Sequence, residues 1–195
     1  MLYGETVLYA QLQKRTRIRR NLVAGVVACM LSVGIFTGCD KDDDDNNNNN
    51  NGVNNTDREF TVMASMSNYA EIQAGQLADN KAQNEGIDDF GEMMVEDHTN
   101  AGNQLKSIAS ELSLQVKDSL DAEHVLLMDT LQTVTGRAFD SVYIHSQVRD
   151  HHKAIALFQN EAQNGQNMKL KKFANDLLPK LQMHLHHADS LSKVY

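Results

Sequence analysis

From Asp57 to the C-terminus, apolar residues recur every three or four positions, and polar residues fill the faces between them. That period is helical throughout. It predicts a first helix over about 58–83, closed by Glu85-Gly86, and a second over about 87–112. A shorter helix follows over about 120–134 and ends before Gly136. Long helices over about 137–164, stopped near Gly165, and about 167–193 complete the chain. The single proline, Pro179, falls inside the last of these and predicts a kink there.

Four long helices, two tight turns and one long middle connection describe an all-α four-helix bundle. The turns near Gly86 and Gly165 make two antiparallel hairpins. The stretch from Ser113 to Gly136 is long enough to cross the bundle from end to end. It carries the short helix, as the crossover of ferritin-like folds does. The bundle domain is expected over 57–195, a length that suits one core.

Each long helix carries a polar residue on an otherwise apolar stripe. His98 interrupts the face of Ile87, Met94, Ala101 and Leu105, and His151 that of Ile144, Val148, Ile155 and Phe158. His184 stands among Phe173, Leu177, Leu181 and Ala188, and Glu71 shares a face with Phe60, Ser67, Ala74 and Ala78. Counted from the two turns at 1.5 Å per residue, all four lie at one depth to within roughly a helical turn. One carboxylate and three imidazoles suit Zn²⁺, Fe²⁺ or Mn²⁺. Four groups that satisfy one another in a metal-free network are the competing reading. Asp97 and Asp150 each precede a histidine, placed to fix an imidazole tautomer from a neighbouring helix. Phe90, Val95, Asp97, His98 and Ala101 recur as Tyr143, Val148, Asp150, His151 and Ala154 at identical offsets. Of His145, His152, His186 and His187 most read as solvated, with His187, one turn from His184, as a further candidate ligand. Met63, Met66, Met93 and Met94 have the spacing of ordinary core packing.

Charge and cysteine usage narrow the chemistry. The formal charge is -8, which argues against nucleic acid as a partner. The two cysteines, Cys29 and Cys39, both precede the bundle, so any metal ligands there must be His, Asp or Glu. The N-terminal segment runs from basic (Lys14 to Arg20) through apolar (Leu22 to Phe36) to small residues before Cys39. That order is a secretory signal, and the apolar run is too short to span a bilayer. Phe36-Thr37-Gly38-Cys39 resembles the lipobox of bacterial lipoproteins, in which the cysteine is lipidated and becomes the N-terminus. The resemblance implies a signal peptide over 1–38 and membrane attachment through lipid on Cys39. Losing 1–38 removes five basic side chains and one acidic, which moves the charge from -8 to -12. The Asp- and Asn-rich stretch over 39–56 has nothing to bury, and reads as a disordered tether spanning roughly 20–25 Å. Cys39-Asp40-Lys41-Asp42-Asp43 is similar to the acidic signal that sends some Gram-negative lipoproteins to the outer face of the outer membrane.

Across about 59–191 the chain resembles a ferritin-like domain family of unassigned activity, found in bacterial envelope proteins and often labelled outer-membrane proteins. The residues that carry the resemblance are Ala70-Glu71, Gly75-Gln76-Leu77-Ala78, Phe90, Met94, Asp97-His98, Gly136, Phe139-Asp140, Tyr143, Asp150-His151, Leu178-Pro179, Leu181 and His184. It implies a ferritin-like bundle in which Glu71, His98, His151 and His184 are family positions. A diiron carboxylate site needs Glu-x-x-His on two helices. Val95, Val148 and Leu181 stand three residues before the histidines, so a mononuclear site or a metal-free core is expected instead. No nucleophile–base pair or glycine-rich phosphate loop points to an enzyme, and no catalytic residue is assigned. The expected function is a membrane-anchored envelope module that binds a divalent metal, with a structural or interaction lipoprotein as the alternative.

Overall fold

The structure, a computed structural model, describes residues 52–195. The signal-like segment, Cys39 and the acidic and asparagine runs lie outside the described residues. Five helices follow in order: α1 (Asn55–Lys81), α2 (Glu85–Glu111), α3 (Ala122–Thr133), α4 (Gly136–Asn164) and α5 (Met168–Ser192). Among the described residues there is no strand, and no helix is long and apolar enough to cross a membrane. The all-α bundle of the sequence reading is therefore the observed fold.

Local chemistry sets the helix ends. α1 begins three residues earlier than its apolar stripe suggests, because Asn54 and Asp57 form a capping box. The Asn54 side chain accepts from the Asp57 backbone N–H at 2.9 Å, and the Asn54 N–H donates back to the Asp57 carboxylate at 2.6 Å. The last residues assigned to the tether thus belong to the folded domain. Asn84 caps α2 by accepting from Gly86 N–H, and Asn167 caps α5 by accepting from Lys169 N–H. α5 runs on through Pro179 to Ser192.

α1 packs mainly on α2 and α4 on α5, and the two hairpins then meet through α1–α4 and α2–α5. α1 and α2 approach closely where Gly75 and Gly91 face each other. A Cβ on Gly91 would stand 2.7 Å from Ala78 Cβ and 2.9 Å from the Gly75 carbonyl oxygen. Glycine is required there by the approach of the two backbones.

Two aspartates tie the hairpins together at opposite ends. Asp57 on α1 accepts from the backbone N–H groups of Gln166 and Asn167 in the α4–α5 turn, each at 3.1 Å. Asp140 on α4 accepts from Gln83 and Asn84 in the α1–α2 turn, each at 3.0 Å. This places the α1 start beside the α4–α5 turn and the α4 start beside the α1–α2 turn, so the order is up-down-down-up. The segment between α2 and α4 must then run the length of the bundle. Within it α3 packs on α1 and α4. Met128 and Leu131 are buried, and Lys81 donates to the Leu131 and Gln132 carbonyls at 2.6 and 2.9 Å.

The interior is two apolar cores with a polar layer between them. One core, towards the α1–α2 turn, holds Ile87, Phe90, Met94, Leu131, Phe139 and Tyr143. The other, towards the α4–α5 turn, holds Phe60, Leu105, Phe158, Leu170, Phe173 and Leu181. Phe60, Phe158 and Phe173 pack with ring centroids 5.0–6.2 Å apart. Of the four methionines expected in the core, Met94 is fully buried there, whereas Met63 is 55 % exposed. The stripe rule places a residue by spacing alone, and Met63 sits just beyond its edge.

Candidate metal centre

Glu71, His98, His151 and His184, on α1, α2, α4 and α5, are all buried in the layer between the two cores. The three imidazoles form one cluster, with ring centroids 5.3–5.8 Å apart. One ring nitrogen from each lies within 4.8 Å of the other two.

The outward hydrogen bonds decide which nitrogens face inward. His98 Nδ1–H donates to Asn68 Oδ1 at 2.8 Å. His151 Nδ1–H donates to the Gln147 carbonyl, one turn earlier on α4, at 2.9 Å. His184 Nε2–H donates to Asp97 Oδ2 at 2.9 Å, and Asp97 is held in turn by Lys180 at 2.7 Å. A neutral imidazole carries one proton, so each outward bond leaves a bare lone pair on the inner nitrogen. His151 Nε2 and His184 Nδ1 stand 3.3 Å apart. With their outer nitrogens protonated, the contact opposes two lone pairs and is no hydrogen bond. His98 Nε2 is buried without any partner.

Electrostatics keep the cluster neutral. Burial lowers all three histidines, His98 well below the usual imidazole value and His184 to about 4. The Asp97 hydrogen bond opposes that shift at His184 without overcoming it. Asp97 itself is held below the usual carboxylate value: burial pushes it up, and hydrogen bonds from Lys180 and His184 outweigh the burial.

The structure places the two expected orienting aspartates differently. Asp97 orients the His184 ring from a neighbouring helix. Asp150 touches none of the three imidazoles. It pairs with Arg149 at 3.0 Å and faces Lys153 and the α3 residue His124 at 3.7 and 3.8 Å. Its carboxylate leans towards the crossover, a partner that a stripe on α4 alone does not reveal.

Glu71 lies beside the cluster and outside its inner face. Its Oε1 is 3.9 Å from His151 Nδ1, the nitrogen already committed to the Gln147 carbonyl. Burial, opposed by a hydrogen bond from the Gln147 side chain, raises the Glu71 carboxyl to about 7. Its Oε2, Gln147 Oε1 and Tyr143 OH are all buried without partners.

Asn68 and Gln147 are the contributors that sequence reasoning missed. Asn68 is three residues before Glu71, so the same stripe carried a second polar interruption. Gln147 acts on His151 through its backbone carbonyl, which leaves no mark in sequence. His145, His152, His186 and His187 are exposed, and His187 packs edge-on against Phe90 at 5.3 Å.

Fold and site together define a helical bundle with a buried three-histidine cluster able to hold a metal ion. The chain belongs to the family described as domain of unknown function DUF4142, whose model matches residues 43–191. No curated protein and no solved structure matches it.

Proposed function

We propose that this protein is a metal-binding module in which His98, His151 and His184 hold one divalent transition-metal ion. The observation that carries the reading is the convergence of three inner lone pairs, each fixed by an outward hydrogen bond. Orienting partners of that kind are a regular feature of histidine metal sites. Two imidazole nitrogens on a tetrahedral Zn²⁺ are about 3.3 Å apart at Zn–N distances of about 2.0–2.1 Å, which is the His151–His184 separation. With Glu71 behind His151, the ligand set is all nitrogen. That favours Zn²⁺ or Fe²⁺ over Mn²⁺. Three protein ligands leave at least one coordination position open.

The test is elemental analysis of the full-length chain purified without a His tag, beside His98→Ala. One equivalent of metal is expected in the parent and none in the variant. The parent melting temperature should rise on metal addition and that of the variant should not. A parent that takes up no metal, with its melting temperature unmoved, leaves the metal-free polar network as the reading.

The same proposal places the module on a membrane. The basic, apolar, small order ending at Phe36-Thr37-Gly38-Cys39 supports cleavage before Cys39, lipid on Cys39 and delivery to the outer membrane. Asp40 to Asp43 supports exposure on the cell surface, and the up-down-down-up order with its long crossover supports kinship with ferritin-like bundles. Intact mass spectrometry of membrane-extracted protein decides the anchor. Retention of residues 1–38, or an unmodified Cys39, overturns it. Protease treatment of whole cells should remove a surface domain, and full protection refutes exposure.

A further inference from the structure

Away from the three-histidine layer, a cleft of about 270 Å³ opens where the crossover helix α3 lies against α1 and α4. Met63 and Met66 of α1 line it together with His124 of α3 and Asp150 of α4. The two methionines stand three residues apart, one turn along the same side of α1. Met63 is 55 % exposed and Met66 half-buried, and neither belongs to the two apolar cores. The His124 side chain is only 12 % exposed, and the α3 cap fixes its ring. Asp121 Oδ1 accepts from the His124 backbone N–H and from the ring Nδ1–H, each at 2.8 Å. In the neutral ring that leaves Nε2 as a bare lone pair. Asp150 Oδ2 stands 3.8 Å from Nε2, too far for a hydrogen bond.

We propose that Met63, Met66 and His124 form a binding site for one soft monovalent cation, copper(I), separate from the three-histidine layer. The argument is donor type and orientation together. One exposed methionine needs no explanation. Here a second thioether stands one turn away, and an imidazole held by a carboxylate lines the same cleft. Thioethers are soft donors that select Cu⁺, whereas Mg²⁺, Ca²⁺ and Mn²⁺ take oxygen ligands. The Asp121–His124 pair is the arrangement that orients histidines bound to metal. Thioether and imidazole donors are neutral, and the Asp150 carboxylate beside Nε2 supplies the opposite charge for a cation. Lys153, the one cationic residue in the lining, is bound to Glu123 at 2.7 Å. The site stands whether or not the histidine layer takes up metal.

The experiment follows methionine ε-methyl signals of the full-length chain by nuclear magnetic resonance while Ag⁺, a redox-inert stand-in for Cu⁺, is added. Met63→Leu and Met66→Leu, close in volume to the parent side chains, assign the two signals. Both should move with one equivalent of Ag⁺, and the signal of buried Met94 should not. Excess Zn²⁺ should leave the shifts in place. Affinity for Cu⁺ itself, kept reduced by ascorbate, is read by competition with bicinchoninate. That measurement uses a His98→Ala background, so that the layer does not contribute. There each leucine variant, and His124→Gln, should bind Cu⁺ more weakly by roughly tenfold or more. Unmoved Met63 and Met66 signals overturn the proposal. So does unchanged Cu⁺ affinity in both leucine variants, or reversal of the shifts by Zn²⁺. None of these outcomes bears on the three-histidine reading, which its own metal analysis decides.

Discussion

Two buried side chains make stability depend on pH in opposite directions, His184 in the histidine layer and Glu161 beside Asp57 near the α4–α5 turn. In the unfolded chain a histidine takes up a proton near pH 6.5. Buried His184 resists until about pH 4. Between those values the unfolded state binds more protons, so stability is full above pH 6.5 and is lost as pH falls. For His184 alone the loss by pH 4 is roughly 3 kcal/mol. Glu161 has the reverse sign. It is fully buried, and burial together with the neighbouring Asp57 carboxylate raises its carboxyl to about 8. The folded state then holds the proton that the unfolded chain has released, and stability falls as pH rises from about 4.5 to 8. Glu161→Gln keeps a side-chain donor facing Asp57 and removes the ionisation. Urea titrations should show the variant more stable than the parent at pH 9 by roughly 1–3 kcal/mol, and not at pH 5. A variant that loses stability equally at both values refutes the assignment.

At the scale of the helices, legibility followed distance along the chain. The polar interruptions at His98, His151 and His184 were visible because each broke a stripe within its own helix. Asn68 was hidden because Ser67 also fits a face with Glu71 when no neighbour fixes the rotation. The buried pattern Phe60, Ala64, Asn68, Glu71 resolves it. The capping box at Asn54 was hidden by composition: an asparagine that ends a polar run looks like more of the run. The role of Asp150 depended on α3, whose place across α1 and α4 no local pattern specifies. The α1–α2 contact gives the element-scale prediction. Alanine is the better helix former by about 1 kcal/mol, so Gly91→Ala would be stabilising on a free helix surface. Here the new methyl meets Ala78 Cβ at 2.7 Å and the Gly75 carbonyl oxygen at 2.9 Å. Neither contact is a flexible side-chain end, so α1 and α2 must move apart. Thermal melts should show a net loss of about 1–3 kcal/mol. An unchanged or higher melting temperature shows that the helices separate at no cost.

At the scale of the molecule, the two hairpins repeat each other. From Asp57 to Asp140, and from Gln83-Asn84 to Gln166-Asn167, the spacing is 83 positions in each case. Each aspartate clasps the Gln-Asn turn of the other hairpin. At the same spacing Phe60 pairs with Tyr143, Ile87 with Leu170 and Phe90 with Phe173, all core positions. The repeat fails where the metal reading needs it to. His151 matches Asn68, His98 matches Leu181 and His184 matches Ala101. A repeated frame thus carries an asymmetric site. The two clasps stand at opposite ends of helices of 27 and 29 residues, roughly 35–40 Å apart at 1.5 Å per residue. Removing either carboxylate leaves two backbone N–H groups without their charged acceptor, at about 1.5–3 kcal/mol for each hydrogen bond to a charged group. Asp140→Ala and Asp57→Ala should each lower stability by several such units, and Asp57→Ala should cost more because it also removes half of the α1 capping box. At that separation the double variant should equal the sum of the two within about 0.5 kcal/mol. A larger coupling would mean that loosening one end shifts the whole bundle and the three-histidine layer with it. The same three variants should then differ in metal affinity, although neither aspartate is within reach of the histidines.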